Sequence, residues 1–307
     1  VKVVVVGRGK LGRALAQRLE ETDSEVSLLR GRASAQKPAG IRSAKNVTYV
    51  LAVPDGAIAQ VAARLAAHVD ETDVVLHCAG ARGVDALAAC AARGAATAVF
   101  HPLVSFASAR ALPPLSGATF VAQGAPRALR AARRLCALLG AHCVIAPIMG
   151  PAYHAAAALL ANGSAALAYA GLRILLGLGV PRRSAQRALA GLLATVAVNV
   201  AKVGVPAALT GPVARGDTAT VRAHVRALSR LSPELARQYR QVQPIIEACA
   251  AAQRGTPSAS TQKRRASKRA VPRASKTKTQ RAVPRASKTT TQRAVPRASK
   301  TTTQRHK

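Results

Sequence analysis

Four consecutive valines, Val3 to Val6, run into Gly7-Arg8-Gly9-Lys10-Leu11-Gly12 and then into an amphipathic stretch from Arg13 to Glu20. An unbroken apolar run, a glycine turn and a helical period, in that order, predict the opening of a dinucleotide-binding βαβ unit. The same rhythm continues to about Ala146. Val26–Leu29, Val47–Val53, Val74–Leu76, Ala98–Phe100, Thr119–Ala122 and Cys143–Ala146 read as strands, with helices beginning at Pro54-Asp55 and spanning Pro126 to Leu139. Short β runs alternating with helical stretches predict a parallel sheet. After Gly150 the β runs stop. Residues 151–178, 181–202, 217–230 and 233–252 read as helices, broken by Gly179-Val180-Pro181, Gly204-Val205-Pro206 and Leu231-Ser232-Pro233. Ser232 fits an N-cap with Pro233 at the first helical position. The expected architecture is an α/β Rossmann-type parallel-sheet domain over residues 1–150, then an all-α domain over residues 151–253. A cleft would lie beyond the carboxyl ends of the strands.

From Arg254 the pattern vanishes and the composition takes over. Arg269–Gln280, Arg281–Gln292 and Arg293–Gln304 are near-copies of one unit, RAVPRASKT(K/T)TQ. Residues 254–307 hold 17 of the chain's 46 lysines and arginines and no acid, so body and tail each carry about half of the net charge of +34. With a proline in every repeat and almost no large apolar residue, this tail cannot bury a core and is expected to be disordered. It has no face on which repeats could stack. A flexible cationic segment without aromatics suits salt-sensitive, non-specific binding to nucleic acid or another polyanion. The plainer alternative is a solubilising tail.

A chain of 307 residues allows two domains and a substantial core, but aromatics make up only 2% and Trp is absent. The core must therefore be built from Ala, Leu and Val, which favours long, closely packed helices. Cys78, Cys90, Cys136, Cys143 and Cys249 form no CxxC pair and no metal-ligand spacing. Such a set reads as buried thiols in a reducing compartment. The N-terminus enters a strand at once, leaving no room for a signal peptide, and a cytoplasmic protein is expected. Ala155 to Leu172 is uncharged and long enough to raise the question of a membrane span. Its alanines, together with Asn162, Gly163, Ser164 and the following Arg173, suit a helix buried between subunits better.

In the glycine turn, Gly7 permits the tight bend, Gly9 lets backbone approach a pyrophosphate, and Gly12 lets helix and strand pack closely. The helix N-terminus offers free N–H groups to the phosphates. The alternative is a purely structural turn, which the flanking strand and helix argue against. An NAD site carries Asp or Glu at the end of the second strand to hold the ribose 2′-hydroxyl. Here that strand ends in Arg30-Gly31-Arg32. Two guanidiniums suit a 2′-phosphate, so NADP(H) is expected, the alternative being two ordinary solvated charges.

Three places could carry chemistry. His101-Pro102 follows a strand at the cleft edge, where a histidine could protonate a developing alkoxide or amine, or simply bond a loop carbonyl. His154 and Asn162 share a helix face that Tyr169 continues. Polar groups there need partners, supplied either by nicotinamide and substrate or by neighbouring helices, and the cleft is the favoured reading. In Leu209–Asp217, Asp217 suits a helix cap. Thr210 and Arg215 on the same tight loop suit a carboxylate substrate.

Val53-Pro54-Asp55, His101-Pro102-Leu103, Tyr153-His154-Ala155-Ala156-Ala157, Asn162 and the ALTGPVARGD stretch of 208–217 together resemble a known family. It comprises Rossmann-like proteins with a C-terminal helical domain of unknown function, relatives of pyrroline-5-carboxylate reductase within the 6-phosphogluconate-dehydrogenase-like superfamily. The resemblance spans about residues 1–250. It implies dimerisation through the helices and NADP-linked reduction, but no particular substrate. Gly7, Arg8, Gly9, Lys10, Leu11 and Gly12, with Arg30, Arg32, Val53 and Pro54, become the expected cofactor contacts. Hydroxyacid dehydrogenases of the superfamily place a catalytic Lys four residues before an Asn on the first long helix, and here that residue is Ala158. The proton donor must then be His154 or His101, or hydride transfer has been lost. Two function classes follow. One is an NADP(H)-dependent oxidoreductase acting on a small carbonyl or imine bearing a carboxylate; the other is a catalytically inactive NADP-binding or sensing module.

Overall fold

The computed structural model describes residues 1–31, 45–146 and 150–255. Of the tail expected to be disordered, 254–307, residues 256–307 lie outside the described residues, as does Arg32, whereas Arg254 and Gly255 continue the last helix, contrary to that expectation. Seven strands form one sheet: β1 (Lys2–Val6), β2 (Glu25–Leu29), β3 (Thr48–Leu51), β4 (Val74–His77), β5 (Ala96–Pro102), β6 (Thr119–Gly124) and β7 (His142–Ile145). Their order is β2-β1-β3-β4-β5-β6-β7. The five strands from β2 to β5 are parallel, as is the β6–β7 pair, but β6 runs antiparallel to β5. The expected Rossmann-type parallel sheet is thus present, with one antiparallel junction in it. Phe100 on β5 and Phe120 on β6 stack across this junction with ring centroids 4.5 Å apart.

Alternation along each strand sends side chains to opposite faces, and both faces are covered. Val3, Val5, Leu76 and Phe100 meet α1 (Lys10–Glu20) and α4 (Pro126–Leu139) through Leu15, Leu19, Leu135 and Leu139. On the other face, Val4, Val6, Tyr49 and Leu51 meet α2 (Ile58–Leu65) through Ile58, Val61 and Leu65. The short α3 (Ala88–Ala91), which the apolar pattern does not announce, seals that layer with Cys90. Helix α4 begins on Pro126, and Gly140 stops it in the left-handed conformation, φ 66°.

Four helices follow: α5 (Pro151–Gly177), α6 (Arg182–Val203), α7 (Thr218–Leu231) and α8 (Pro233–Gly255). Asp217 caps α7, accepting from the Thr220 N–H at 3.0 Å and from its hydroxyl at 2.6 Å. Ser232 Oγ accepts from Leu235 N at 3.4 Å at the start of α8. Both caps agree with the sequence expectation. Arg173 on α5 makes a bidentate ion pair with Glu234 on α8, at 3.0 and 2.9 Å.

This helical part is nearly bare. Leu172 is the one buried residue of the 27 in α5, and Leu159, Leu160 and Leu167 are 70%, 74% and 53% exposed. On α6, Leu192, Val196 and Val203 are also open. Among the described residues α5 is the one helix long and apolar enough to cross a membrane by length and composition. The five cysteines are free, with Cys78, Cys90 and Cys136 buried.

Candidate functional site

The carboxyl ends of the parallel strands form a row in which most of the sequence candidates sit. At the end of β1, Gly7 has φ +126°, and a Cβ there would fall 2.2 Å from the carbonyl oxygen of Ala52. A Cβ on Gly12 would fall 1.8 Å from the carbonyl oxygen of Gly7. Neither position admits a side chain. A Cβ on Gly9 would meet nothing within 4 Å. Helix α1 starts at that open spot with no side chain capping it and no acid in its first turn. An uncapped, acid-free N-terminus beside an open glycine is what an anion requires. Leu11 packs against the core, so it contributes its backbone only. Lys10 turns its ammonium to the carbonyls of Phe106 and Ala107, at 2.9 and 3.1 Å.

The neighbouring ends complete the row. Arg8 donates to the carbonyl of Leu28 at 3.3 Å, which lays its exposed guanidinium along the end of β2, where exposed Arg30 follows. Val53, after β3, fills the gap between two turns: its Cγ1 is 3.3 Å from a Cβ position on Gly7 and 2.8 Å from one on Gly31. Pro54 next to it is exposed. From β2 to β5 the row covers four strand spacings, about 19 Å. These residues fit a dinucleotide with extra negative charge at its β2 end: a cradle where only glycine fits, an open helix terminus, and Arg8 and Arg30 with no acid at the end of β2.

At the β5 end the structure gathers His101, Tyr153 and His154. His101 lies within β5 rather than after it. Its Nδ1 is 2.9 Å from the hydroxyl of Tyr153, and its ring meets those of Tyr153 and His154 edge-on, with centroids 5.5 and 5.9 Å away. Burial, with His154 alongside, pushes the pKa of His101 down to about 4, against a weaker upward pull from Asp55. The imidazole is neutral at pH 7. Tyr153 is pushed up by burial and keeps its proton. His77, fully buried at the end of β4, bonds Gly83 O through Nε2 at 2.9 Å and accepts from Ala79 N at Nδ1, 3.2 Å. It pins the loop holding Gly80, over which the His101 ring lies.

Other candidates do not join this group. Asn162 and Tyr169 are exposed on α5. Asn162 lies eight residues beyond His154, about 12 Å along the helix. The polar stripe expected to face a cleft thus faces outward in the single chain, because α5 packs on its neighbours through so few residues. Thr210 and Arg215 line a separate pocket of about 480 Å³ with Leu209, Gly211, Ala214, Gln253 and Arg254. No residue of the sheet reaches it. Sequence reasoning passed over His77, Gly80 and Tyr153. Tyr153 adjoins a residue it did choose, and Gly80 lies four residues beyond the strand read at Val74–Leu76. No metal-holding group of His, Cys, Asp or Glu occurs among the described residues.

Residues 1–102 match the family model of a Rossmann-like domain, and residues 118–244 match that of a domain of unknown function, DUF2520. Among the curated proteins none matches the chain. Solved structures share the fold. Protein TM1727 from Thermotoga maritima is 24% identical with a TM-score of 0.60, over 82% of this chain and 99% of that one. Pyrroline carboxylate reductase from Plasmodium falciparum, solved with NADP bound, is 14% identical with a TM-score of 0.51, over 81% and 99%. An imine reductase from Aspergillus terreus, in complex with NADPH4 and dibenz[c,e]azepine, is 16% identical with a TM-score of 0.50, over 84% and 96%.

Proposed function

The chain joins a Rossmann-like domain to a DUF2520 domain, and on that premise we propose that it is an NADP(H)-dependent oxidoreductase. It would reduce, or form by oxidation, a small carbonyl or imine compound bearing a carboxylate. The observation that carries this reading is the glycine cradle at the sheet edge with Arg8 and Arg30 at its β2 end. The turn would hold the pyrophosphate, Arg8, Arg30 and Arg32 the 2′-phosphate, and Val53 and Pro54 the middle of the dinucleotide. Nicotinamide would then extend toward His101, where it supplies a hydride. That solved structures of this fold carry NADP and NADPH4 supports the same choice of cofactor.

Each of the remaining roles has its own support. His101, half-buried and held by Tyr153, is better placed to serve the reacting atom than His154, which is exposed. The Arg215 pocket, with Arg254 as a second cation, suits a carboxylate. Since the 209–215 loop and the end of α8 wall it and no strand does, it would reach nicotinamide across a subunit boundary. The open leucines and valines of α5 and α6 fit a cytoplasmic homodimer in which a second copy covers them, rather than a bilayer. Such a dimer would also give Asn162 a partner. NADPH consumption over a panel of keto acids and cyclic imino acids tests the reading. Turnover is expected with at least one carboxylate-bearing member and not with its methyl ester. An enzyme that consumes NADPH equally well with the esters rules out the Arg215 role.

A second reading drops the chemistry. Ala158 stands where the superfamily's lysine would be, and Asn162 lies away from His101 in the single chain. Tight NADPH binding with no turnover on the whole panel would favour a sensing module. As for residues 254–307, we propose that they hold polyanions through charge alone. A chain ending at Gln253 is expected to lose retention on DNA at 50 mM salt, and one that keeps it excludes the tail as the binding element.

A further inference from the structure

One arrangement at the sheet edge is not needed for holding a nucleotide. The His101 imidazole lies so close over Gly80 that a Cβ there would sit 2.9 Å from Cε1, 2.9 Å from Nε2 and 3.0 Å from Cδ2. Only glycine lets the ring settle in that plane. Tyr153 holds the opposite edge through its hydroxyl, 2.9 Å from Nδ1. Nε2 has no hydrogen-bond partner among the described residues and is not sealed away from solvent. A phenol is a better proton donor than a neutral imidazole N–H, and an imidazole nitrogen is the better acceptor, so the shared hydrogen belongs to Tyr153 and points at Nδ1. That bond places the ring's own hydrogen on Nε2. The charged and titratable groups around the ring are His154 and His77, which disfavour a positive imidazole, and Asp55, which favours one less strongly.

We propose that Tyr153 is a positioning residue for the reductase chemistry. Its hydroxyl locks His101 as a neutral Nε2–H donor, and Gly80 is the floor that sets the ring's plane. The inference rests on the oxidoreductase reading above. As the substrate's carbonyl or imine carbon gains a hydride, its π pair moves onto the oxygen or nitrogen. That atom takes the Nε2 proton, Nδ1 takes the phenol proton, and the Tyr153 phenolate regains one from water. His101 passes between two neutral tautomers and never carries a charge, which suits a ring that burial keeps from protonating.

Long-range ¹H–¹⁵N correlation spectra of the full chain test this without substrate. The chain has seven histidines, and His101→Asn identifies the signals of interest. The expected result is a single neutral Nε2–H tautomer for His101, unchanged from pH 5.5 to 8. Tyr153→Phe should give a mixture of tautomers, as should Gly80→Ala, whose methyl lifts the ring. Both variants should lose roughly 100-fold in kcat, with NADPH affinity and KM altered less than threefold. In the wild type kcat should be flat over that pH range. An Nδ1–H tautomer, an imidazolium at pH 7, a Tyr153→Phe spectrum like the wild type's, or a tenfold fall in kcat per pH unit would each overturn the proposal. A wild type with the expected tautomer that binds no NADPH would refute the reductase reading and the catalytic role together.

Discussion

Gly9→Val is expected to abolish NADPH binding while leaving the protein folded. The residue sits at φ −69° and ψ −175°, a backbone conformation open to any amino acid, and its Cβ would meet nothing within 4 Å. The fold therefore has no reason to object. The isopropyl group would occupy the approach to the α1 N-terminus, the proposed pyrophosphate seat, and a loss of at least about 100-fold in affinity, or about 2.7 kcal/mol, is expected. Gly12→Val should behave in the opposite way. With a Cβ 1.8 Å from Gly7 O and 3.5 Å from Ala52 Cβ, it must push α1 off the sheet and expose Leu15 and Leu19. A cost of about 3 kcal/mol or more, and a Tm lower by about 6 °C or more, should follow. Fluorescence titration with NADPH beside thermal melts of both variants separates the two. A Gly9 variant that binds normally would mean that the open spot is not the phosphate seat.

The second large effect concerns assembly. Leu160 and Leu192 are 74% and 61% exposed, on helices that also leave Leu159, Leu167, Val196 and Val203 open. Burying one leucine contributes about 1.5–3 kcal/mol, and a two-fold interface counts each twice. Leu160→Glu with Leu192→Glu should therefore convert a dimer into monomers at micromolar concentration, as read by light scattering after size exclusion. Turnover should fall with it if Arg215 serves a substrate across the boundary. A wild type that is monomeric at tens of micromolar would leave the α5–α6 surface without its proposed cover.

The legible parts of this molecule are those where a local constraint selects the residue. Gly7 and Gly12 are recognisable because sterics at a single turn exclude every other side chain. Pro126 and Gly140 mark the ends of α4, and Asp217 and Ser232 cap their helices, because each acts within four residues of itself. The direction of β6 was not legible: a strand buried on both faces looks alike whichever way it runs. Nor was the exposure of Asn162. Helix α5 is alanine-rich all round, so no period marks its inner face. Gly80 and His101 are 21 residues apart, and nothing in either segment announces that one floors the other. The structure brings the two candidate histidines edge to edge, but the hydroxyl that bonds His101 belongs to Tyr153, the residue just before His154.

Everything proposed for the site depends on a phosphate-bearing dinucleotide lying along the sheet edge with its 2′ end at Arg8 and Arg30. Parallel titrations of the wild-type chain and Arg30→Glu with NADPH and with NADH measure that directly. The expected result is a wild-type preference for NADPH of roughly tenfold or more that weakens at high salt and shrinks or reverses in Arg30→Glu. Equal affinity for the two nucleotides in the wild type, or a preference for NADH, would contradict it.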